Sequence, residues 1–210
     1  MPRNSVVIAS RNQGKIAEFR ELLQELELDV LSLTDFPGLP EVAETGATFQ
    51  ENALLKARAA AIATGLAAVA DDSGLEVDYL KGAPGIFSSR YAGSDHDDAA
   101  NIRKVLAALE GVPANRRTAR FRCVIAIAMP GGGEYLSEGV CEGRITTAPR
   151  GEDGFGYDPV FLIPSLGLTF AELGALVKNR ISHRAQAMTN AREILALLKV
   201  PSNTSDLSQE

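Results

Sequence analysis

The run SVVIAS, residues 5–10, sets the first constraint on the fold. It is apolar, carries β-branched residues and lacks polar alternation, as a strand buried on both faces does. Such a strand needs cover above and below, which points to a sheet flanked by helices. The next segment supplies one helix. In NQGKIAEFRELLQEL, residues 12–26, Ile16, Phe19, Leu22, Leu23 and Leu26 recur at helical spacing.

The alternation continues. Residues 28–33 read as a second strand, and TDFPGLPEVAETGA (34–47) as a loop punctuated by Pro37, Gly38, Pro40 and Gly46. TFQENALLKARAAAIATG (48–65) predicts a helix with a Thr48–Glu51 capping box and Gly65 at its end. LAAVA (66–70) reads as a short strand and DHDDAANIRKVLAALEG (95–111) as a helix closed by Gly111. Residues 118–129 and 134–145 flank PGGG and predict an antiparallel hairpin. PVFLIP (159–164) is a further strand, residues 182–199 a closing helix, and residues 201–210 a flexible tail. The fold class is therefore α/β with a mixed sheet flanked by helices.

Composition narrows the function. The net charge of −6 argues against nucleic acid held by a broad basic face. No apolar run approaches the roughly 20 residues of a membrane span, and no signal peptide is expected ahead of the first strand. A cytoplasmic protein without disulfides is expected. Cys123 and Cys141 are equidistant from Gly132, so a hairpin centred there would set them face to face as buried thiols.

Five stretches carry chemistry. In ADDSGL (70–75), Asp71 and Asp72 stand at the predicted strand end, ahead of a Ser-Gly turn. Adjacent carboxylates call for a compensating cation such as Mg²⁺, or are a solvated loop pair capping a turn. SRNQGK (10–15) joins strand to helix: its backbone N–H groups suit a phosphate, Gly14 permits close approach and Lys15 adds charge. Its spacing is not that of a Walker A loop. Lys56 shares a helix face with Asn52, and by itself reads as a solvated lysine. GEDGFGYDPVF (151–161) sets Phe155 and Tyr157 among glycines, where Phe155 either stacks on a flat ligand or anchors the loop. In KNRISHRAQA (178–187), Ser182 can cap a helix whose first turn then holds His183 and Arg184, an unfavourable place for cations. An anion or electron-rich ligand atom would offset that, or the side chains bend into water.

SRNQGK, TFQENALLKA, ADDSGL, GAPGIFSSRYAG, GFGYDPVF and SHRAQA occur in this order. The set closely resembles the inosine/xanthosine triphosphate pyrophosphatase family. The resemblance implies an elongated mixed sheet with two lobes around a central cleft, spanning residues 1–200, and a homodimer. It implies cleavage of ITP, dITP and XTP between the α and β phosphorus atoms, with Mg²⁺, giving a monophosphate and pyrophosphate. On this chain it makes Asp72 the catalytic carboxylate and Glu44 and Asp72 the metal ligands. Ser10, Asn12 and Lys15 would hold the triphosphate, Lys56 would add charge neutralisation, and Arg11, Gln13, Gly14 and Ser73 would also contact substrate. Phe155, Gly156, Tyr157, Asp158, Lys178, His183 and Arg184 would hold the base and sugar. His183 and Arg184 as donors would match the 6-oxo group of hypoxanthine and xanthine. Ala43 stands where many relatives carry a second acid, and Arg11 where several have Gly. Two other classes would use the same residues: a Mg²⁺-dependent phosphatase releasing orthophosphate, and a nucleotide-binding regulator without turnover.

Overall fold

The computed structural model describes residues 4–40, 42–93 and 97–198. Seven strands form one sheet: β1 (Ser5–Ile8), β2 (Asp29–Ser32), β3 (Ala67–Val77), β4 (Thr118–Ala128), β5 (Glu134–Ile145), β6 (Phe161–Ile163) and β7 (Leu168–Thr169). Among the described residues five α-helices flank it: α1 (Gln13–Leu23), α2 (Phe49–Thr64), α3 (Asp98–Ala108), α4 (Gly174–Ile181) and α5 (His183–Ala196). The strand order is β2-β1-β3-β4-β5-β6-β7. β1 pairs parallel with β2 and β3, and every later pairing is antiparallel. The expected mixed α/β sheet is present.

The pleat sorts the core onto two faces. Val6 and Ile8 of β1 point to one side, where they pack with Phe19, Leu23, Val69, Ile125 and Leu195 from beneath α1 and α5. Val7 points to the other, with Ala53, Ala57, Ala68, Ala70, Val124 and Ala126 under α2. Small residues dominate that second face on both helix and sheet, so α2 lies close to the strands. A third cluster gathers Leu75, Val77, Val105, Phe121, Phe161 and Phe170 at the far end of the sheet.

The structure corrects several expectations. The strand predicted to stop at residue 70 runs on to Val77. Asp71, Asp72, Ser73 and Gly74 form no turn. β4 supplies ladder partners along the whole stretch, with Asp71 opposite Ile125 and Asp72 opposite Val124. Long-range pairing overrides the local turn preference of an Asp-Asp-Ser-Gly run. Gly74 is there for close approach: a Cβ would run into the Gly85 carbonyl and the Ser88 hydroxyl. The capping box of α2 is half as expected. Thr48 accepts from the Glu51 N–H at 3.2 Å, but the Glu51 carboxylate accepts from Ala47, one residue before the cap. The hairpin is centred one residue before Gly132, so Cys123 lies opposite Gly139 and Cys141 opposite Phe121. Both thiols are free and buried, but they do not face each other. β7 and α4 had no counterpart in the sequence reading. The predicted start of α3 at residue 95, Lys199 of the closing helix and the tail 201–210 lie outside the described residues.

Gly139 sets how closely α5 seats on β5. A Cβ at this position would collide with the His183 carbonyl and the Ala187 N–H, both backbone atoms of α5. Overpacking against backbone costs about 1–3 kcal/mol. Gly139→Ala should therefore lower the unfolding free energy by about that amount in urea titrations. An unchanged midpoint would show that α5 can lift away freely.

Candidate active site

The two adjacent carboxylates sit in mid-strand, and the pleat separates them. Successive side chains of a strand point to opposite faces. Asp71 turns toward α1 and α5, and Asp72 toward α2. β1 stops pairing with β3 at Val69, so both carboxylates lie just beyond its carboxyl end. That is where ligands bind in open α/β sheets.

On the first face, Asp71 is 3% exposed. Lys15 approaches it at 3.1 Å and Arg184 at 2.9 Å. Ser73 donates to it at 2.9 Å. Burial opposes its ionisation, but Lys15, Arg184 and Lys56 override that and hold it well below the usual carboxylate range. Lys15 is placed by a local turn: the Asn12 side chain caps α1 by accepting the Lys15 N–H at 3.1 Å, and Ser10 accepts from the Asn12 N–H at 3.1 Å. Arg11 and Gln13 of the same loop are exposed. Arg184 also bonds Glu18 of α1. Glu18 reaches on to Lys178 at 2.7 Å, and Lys178 to Asp158 at 2.6 Å. The result is an alternating chain of charge from α1 to the loop before β6.

On the second face, Asn52 and Lys56, one turn apart on α2, converge on Asp72 at 3.2 and 3.0 Å. Lys56 holds Glu44 at 2.9 Å, and Arg90 holds the same carboxylate at 2.8 Å. Lys56 is therefore committed to two acids and is not the solvated lysine its position alone suggests. Burial favours the protonated form of Glu44, yet the Lys56 ammonium, the Arg90 hydrogen bond and Lys15 together lower its pKa to about 2. Asp72 moves the other way. Burial raises its pKa, and the pull of Lys56 and Lys15 does not fully offset that. A cleft of about 820 Å³ opens here, lined by Ser10, Lys15, Glu44, Lys56, Asp71 and Arg90 among others.

The start of α5 corrects the electrostatic reading. Ser182 caps α5, accepting from Ala185 at 3.2 Å. His183 and Arg184 do occupy its first turn, but neither bends into water: they are 4% and 1% exposed. His183 is not a cation. Burial first, then the Arg184 and Lys178 charges, depress its pKa well below the ordinary imidazole value. Its ring stacks on Phe121, centroids 4.7 Å apart and planes 12° apart. Arg184 is balanced by Glu18 and Asp71, so the fold itself offsets the cation there. His183 Nδ1 and Arg184 Nε are buried without a protein hydrogen-bond partner.

Phe155 is half-buried, with Lys178 Nζ 4.7 Å from its ring centroid. Gly14 permits the close approach of this ring, where a Cβ would come within 2.7 Å of it. Asp158 accepts from the Phe155 N–H at 3.0 Å and so shapes the loop. Gly156 donates to Asp98 at 2.7 Å. Tyr157 is buried, its hydroxyl donating to the Ser88 carbonyl at 2.8 Å, and serves as a core anchor.

Glu18, Asn52 and Arg90 belong to this constellation and were absent from the site read off the sequence. Glu18 follows Lys15 by three positions and Asn52 precedes Lys56 by four, so helical spacing carried a signal for both. Arg90 has no local signal, because its partner Glu44 is 46 residues away.

A sequence model of the Ham1 family matches residues 6–194. The chain is 55% identical over 195 residues to a dITP/XTP pyrophosphatase of Desulforamulus reducens, covering 93% of this chain and 97% of that one. It is 54% identical over 188 residues to a dITP/XTP pyrophosphatase of Geobacillus kaustophilus, covering 90% and 92%. Among solved structures, a HAM1 protein from Coxiella burnetii superposes with a TM-score of 0.83 at 49% identity, covering 92% of this chain and 98% of that one. The Ham1 protein of Staphylococcus aureus gives 0.81 at 42% identity, covering 93% and 100%.

A buried neutral histidine couples this site to acid stability. The unfolded chain protonates His183 below about pH 6.5 while the native state does not. Its contribution is therefore complete above that pH and falls by about 1.4 kcal/mol per unit below it. Urea titrations of the wild type and His183→Gln at pH 7 and 5.5 should show the wild type losing more stability than the variant. Parallel losses would place the His183 ring in water.

Proposed function

The chain belongs to the Ham1 family, and from that premise we propose that it hydrolyses ITP, dITP and XTP to the nucleoside monophosphate and pyrophosphate. The observation that carries the reading is the buried Asp72, bonded to Lys56 and Asn52 beside a cleft with further cations on its walls. That arrangement suits attack of water on a polyphosphate, the reaction class for which the relatives are named.

Mg²⁺ fits the donor set. Glu44 and Asp72 offer hard oxygens to one ammonium, Lys56, at 2.9 and 3.0 Å, so their carboxylates converge on one point. Among the described residues no cluster of three or more Asp, Glu, His or Cys forms a ready-made metal cage. Mg²⁺ commonly takes one or two carboxylates and completes its shell with phosphate oxygens and water. Glu44 and Asp72 would hold it, and once bound it supplies charge neutralisation at the phosphate oxygens.

The residues of the chain divide the remaining work. Asp72 accepts the proton of the attacking water, and its upward-shifted pKa makes it a better base than an exposed aspartate. Lys15 and Lys56 stabilise the negative charge that builds on the leaving pyrophosphate. Ser10, Asn12 and the backbone N–H groups at the start of α1 orient the phosphate chain. Ser73 keeps Asp71 in place. At the other end, the Phe155 ring offers a face to the purine, with Gly156, Tyr157 and Asp158 shaping the loop. The resemblance gives the base edge to His183 and Arg184, which lie buried at the start of α5. Lys178 beside Phe155 would offer a donor that suits a 6-oxo purine and leaves an adenine amino group unmatched.

Within this reading residues 1–200 form one two-lobed catalytic unit. The enzyme works as a cytoplasmic homodimer on free nucleotides, not on nucleic acid or at a membrane. The net charge of −6 agrees with a ligand held by local cations, and no helix among the described residues is long and apolar enough to cross a membrane.

A panel of nucleoside triphosphates with Mg²⁺ tests the proposal. ITP, dITP and XTP should release pyrophosphate and ATP far less; direct release of orthophosphate would point to a phosphatase. Asp72→Asn should lower turnover of ITP by roughly 10²–10⁴-fold, the usual range for a lost general base, while IMP still binds. Near-normal turnover in that variant would remove Asp72 from the chemistry.

A further inference from the structure

Asn52 is fully buried, at 0% exposure, and is not among the residues that line the cleft. Whatever it contributes there must pass through another side chain. Both ends of its carboxamide are in use. The oxygen accepts the Gly46 N–H at 2.8 Å, and the nitrogen donates to Asp72 Oδ2 at 3.2 Å. The partners fix which end is which: only the oxygen can accept from an N–H, and only the NH₂ can donate to a carboxylate.

Gly46 bears an independent mark of this contact. A Cβ there would come within 2.7 Å of Asn52 Oδ1 and 3.0 Å of the Asn52 backbone nitrogen. The absent side chain lets the Gly46 N–H reach the amide and pin it in one orientation. The NH₂ is then presented to β3 from a rigid helix. Lys56, one turn further along α2, holds the other oxygen, Asp72 Oδ1, at 3.0 Å. Each carboxylate oxygen thus has its own donor, and the plane of the group is set.

The residue type matters. A second cation at position 52 would neutralise Asp72, and a carboxylate would repel it. A hydrocarbon would leave the Gly46 N–H without its acceptor, the costly side of a lost hydrogen bond. A neutral amide fixes the direction of the carboxylate and leaves its charge in place. Asp71, on the other face, is instead held by two cations, Lys15 and Arg184.

We propose that Asn52 is a positioning residue, pinned by the Gly46 N–H, that orients the Asp72 carboxylate for its work on the phosphate chain. The kinetic consequence rests on the pyrophosphatase reading above.

Steady-state kinetics on ITP with Mg²⁺, joined to carbon NMR of the unliganded full chain, test it. Asn52→Leu keeps the volume and removes both hydrogen bonds, and Asn52→Ala serves should the leucine variant fail to fold. Either should lower kcat roughly 10–100-fold, the scale of a misplaced reacting group, with KM within about twofold. Placed on Asp72→Asn, the same change should cost less than about twofold more, because the two residues act as one. Glu51→Ala is the control: Glu51 accepts from the neighbouring Ala47 N–H at 2.7 Å and does not touch Asp72. It loosens the same turn and should leave kcat within about twofold of the wild type. The Asp72 carboxyl carbon resonance should shift in Asn52→Leu and hold in Glu51→Ala. Four results would each overturn the proposal: an undiminished kcat in both Asn52 variants, a loss confined to KM, a full further loss on Asp72→Asn, or a Glu51→Ala defect as large as that of Asn52→Leu. The last two are what a merely structural role would give. Failure of the wild type to release pyrophosphate from ITP would instead sink the pyrophosphatase reading. The carboxyl resonance would then decide alone, and its failure to move in Asn52→Leu would refute the orienting role.

Discussion

Burying a carboxylate in the middle of a strand is expensive unless its charge is matched. Asp71 is matched by Lys15 and Arg184, and most of the site follows from that requirement. Arg184 is itself buried and needs a second anion, which Glu18 provides. Glu18 brings in Lys178, and Lys178 brings in Asp158. Lys15 and Glu18 share α1 and the other partners come from separate elements, so the network locks α1, β3, α4, α5 and the loop before β6 into one arrangement. Deleting a single member would strand a buried charge, a loss of about 3–5 kcal/mol where this has been measured in other proteins.

The opposite face of β3 is built for change. Glu44, Asp72, Lys56 and Arg90 are less enclosed, and Lys56 divides itself between two acids. Groups that share partners can exchange them at modest cost. A closed charge network and a more open one thus stand back to back on one strand.

Much of this was legible in the sequence, and the boundary has physical causes. Helix starts were readable because capping is local: Thr48 and Ser182 sit where their spacing places them. The sheet class followed from the unbroken apolar run of β1. The length of β3 was not readable, because Asp-Asp-Ser-Gly has turn chemistry and becomes strand through pairing with a segment some fifty residues downstream. The charge state of His183 was misjudged for a related reason. Position in a helix suggested a cation, whereas burial against Phe121 decides the matter. Gly14 was assigned to phosphate, and what lies against it is Phe155. α4 starts at Gly174 without a side-chain cap, so nothing local announced it. Motifs taken together named residues several of which the fold brings to one cleft, while Glu18 and Arg90 show that partners must be found in space.

The alternating directions of Asp71 and Asp72 have an evolutionary consequence. Inserting or deleting one residue anywhere between Val69 and Gly74 would rotate every following side chain half a turn, delivering each acid to the wrong set of cations. Substitution there can be graded and sometimes repaired nearby, whereas a change in length cannot. The surrounding loops carry no such constraint, but this stretch of backbone must be counted residue by residue.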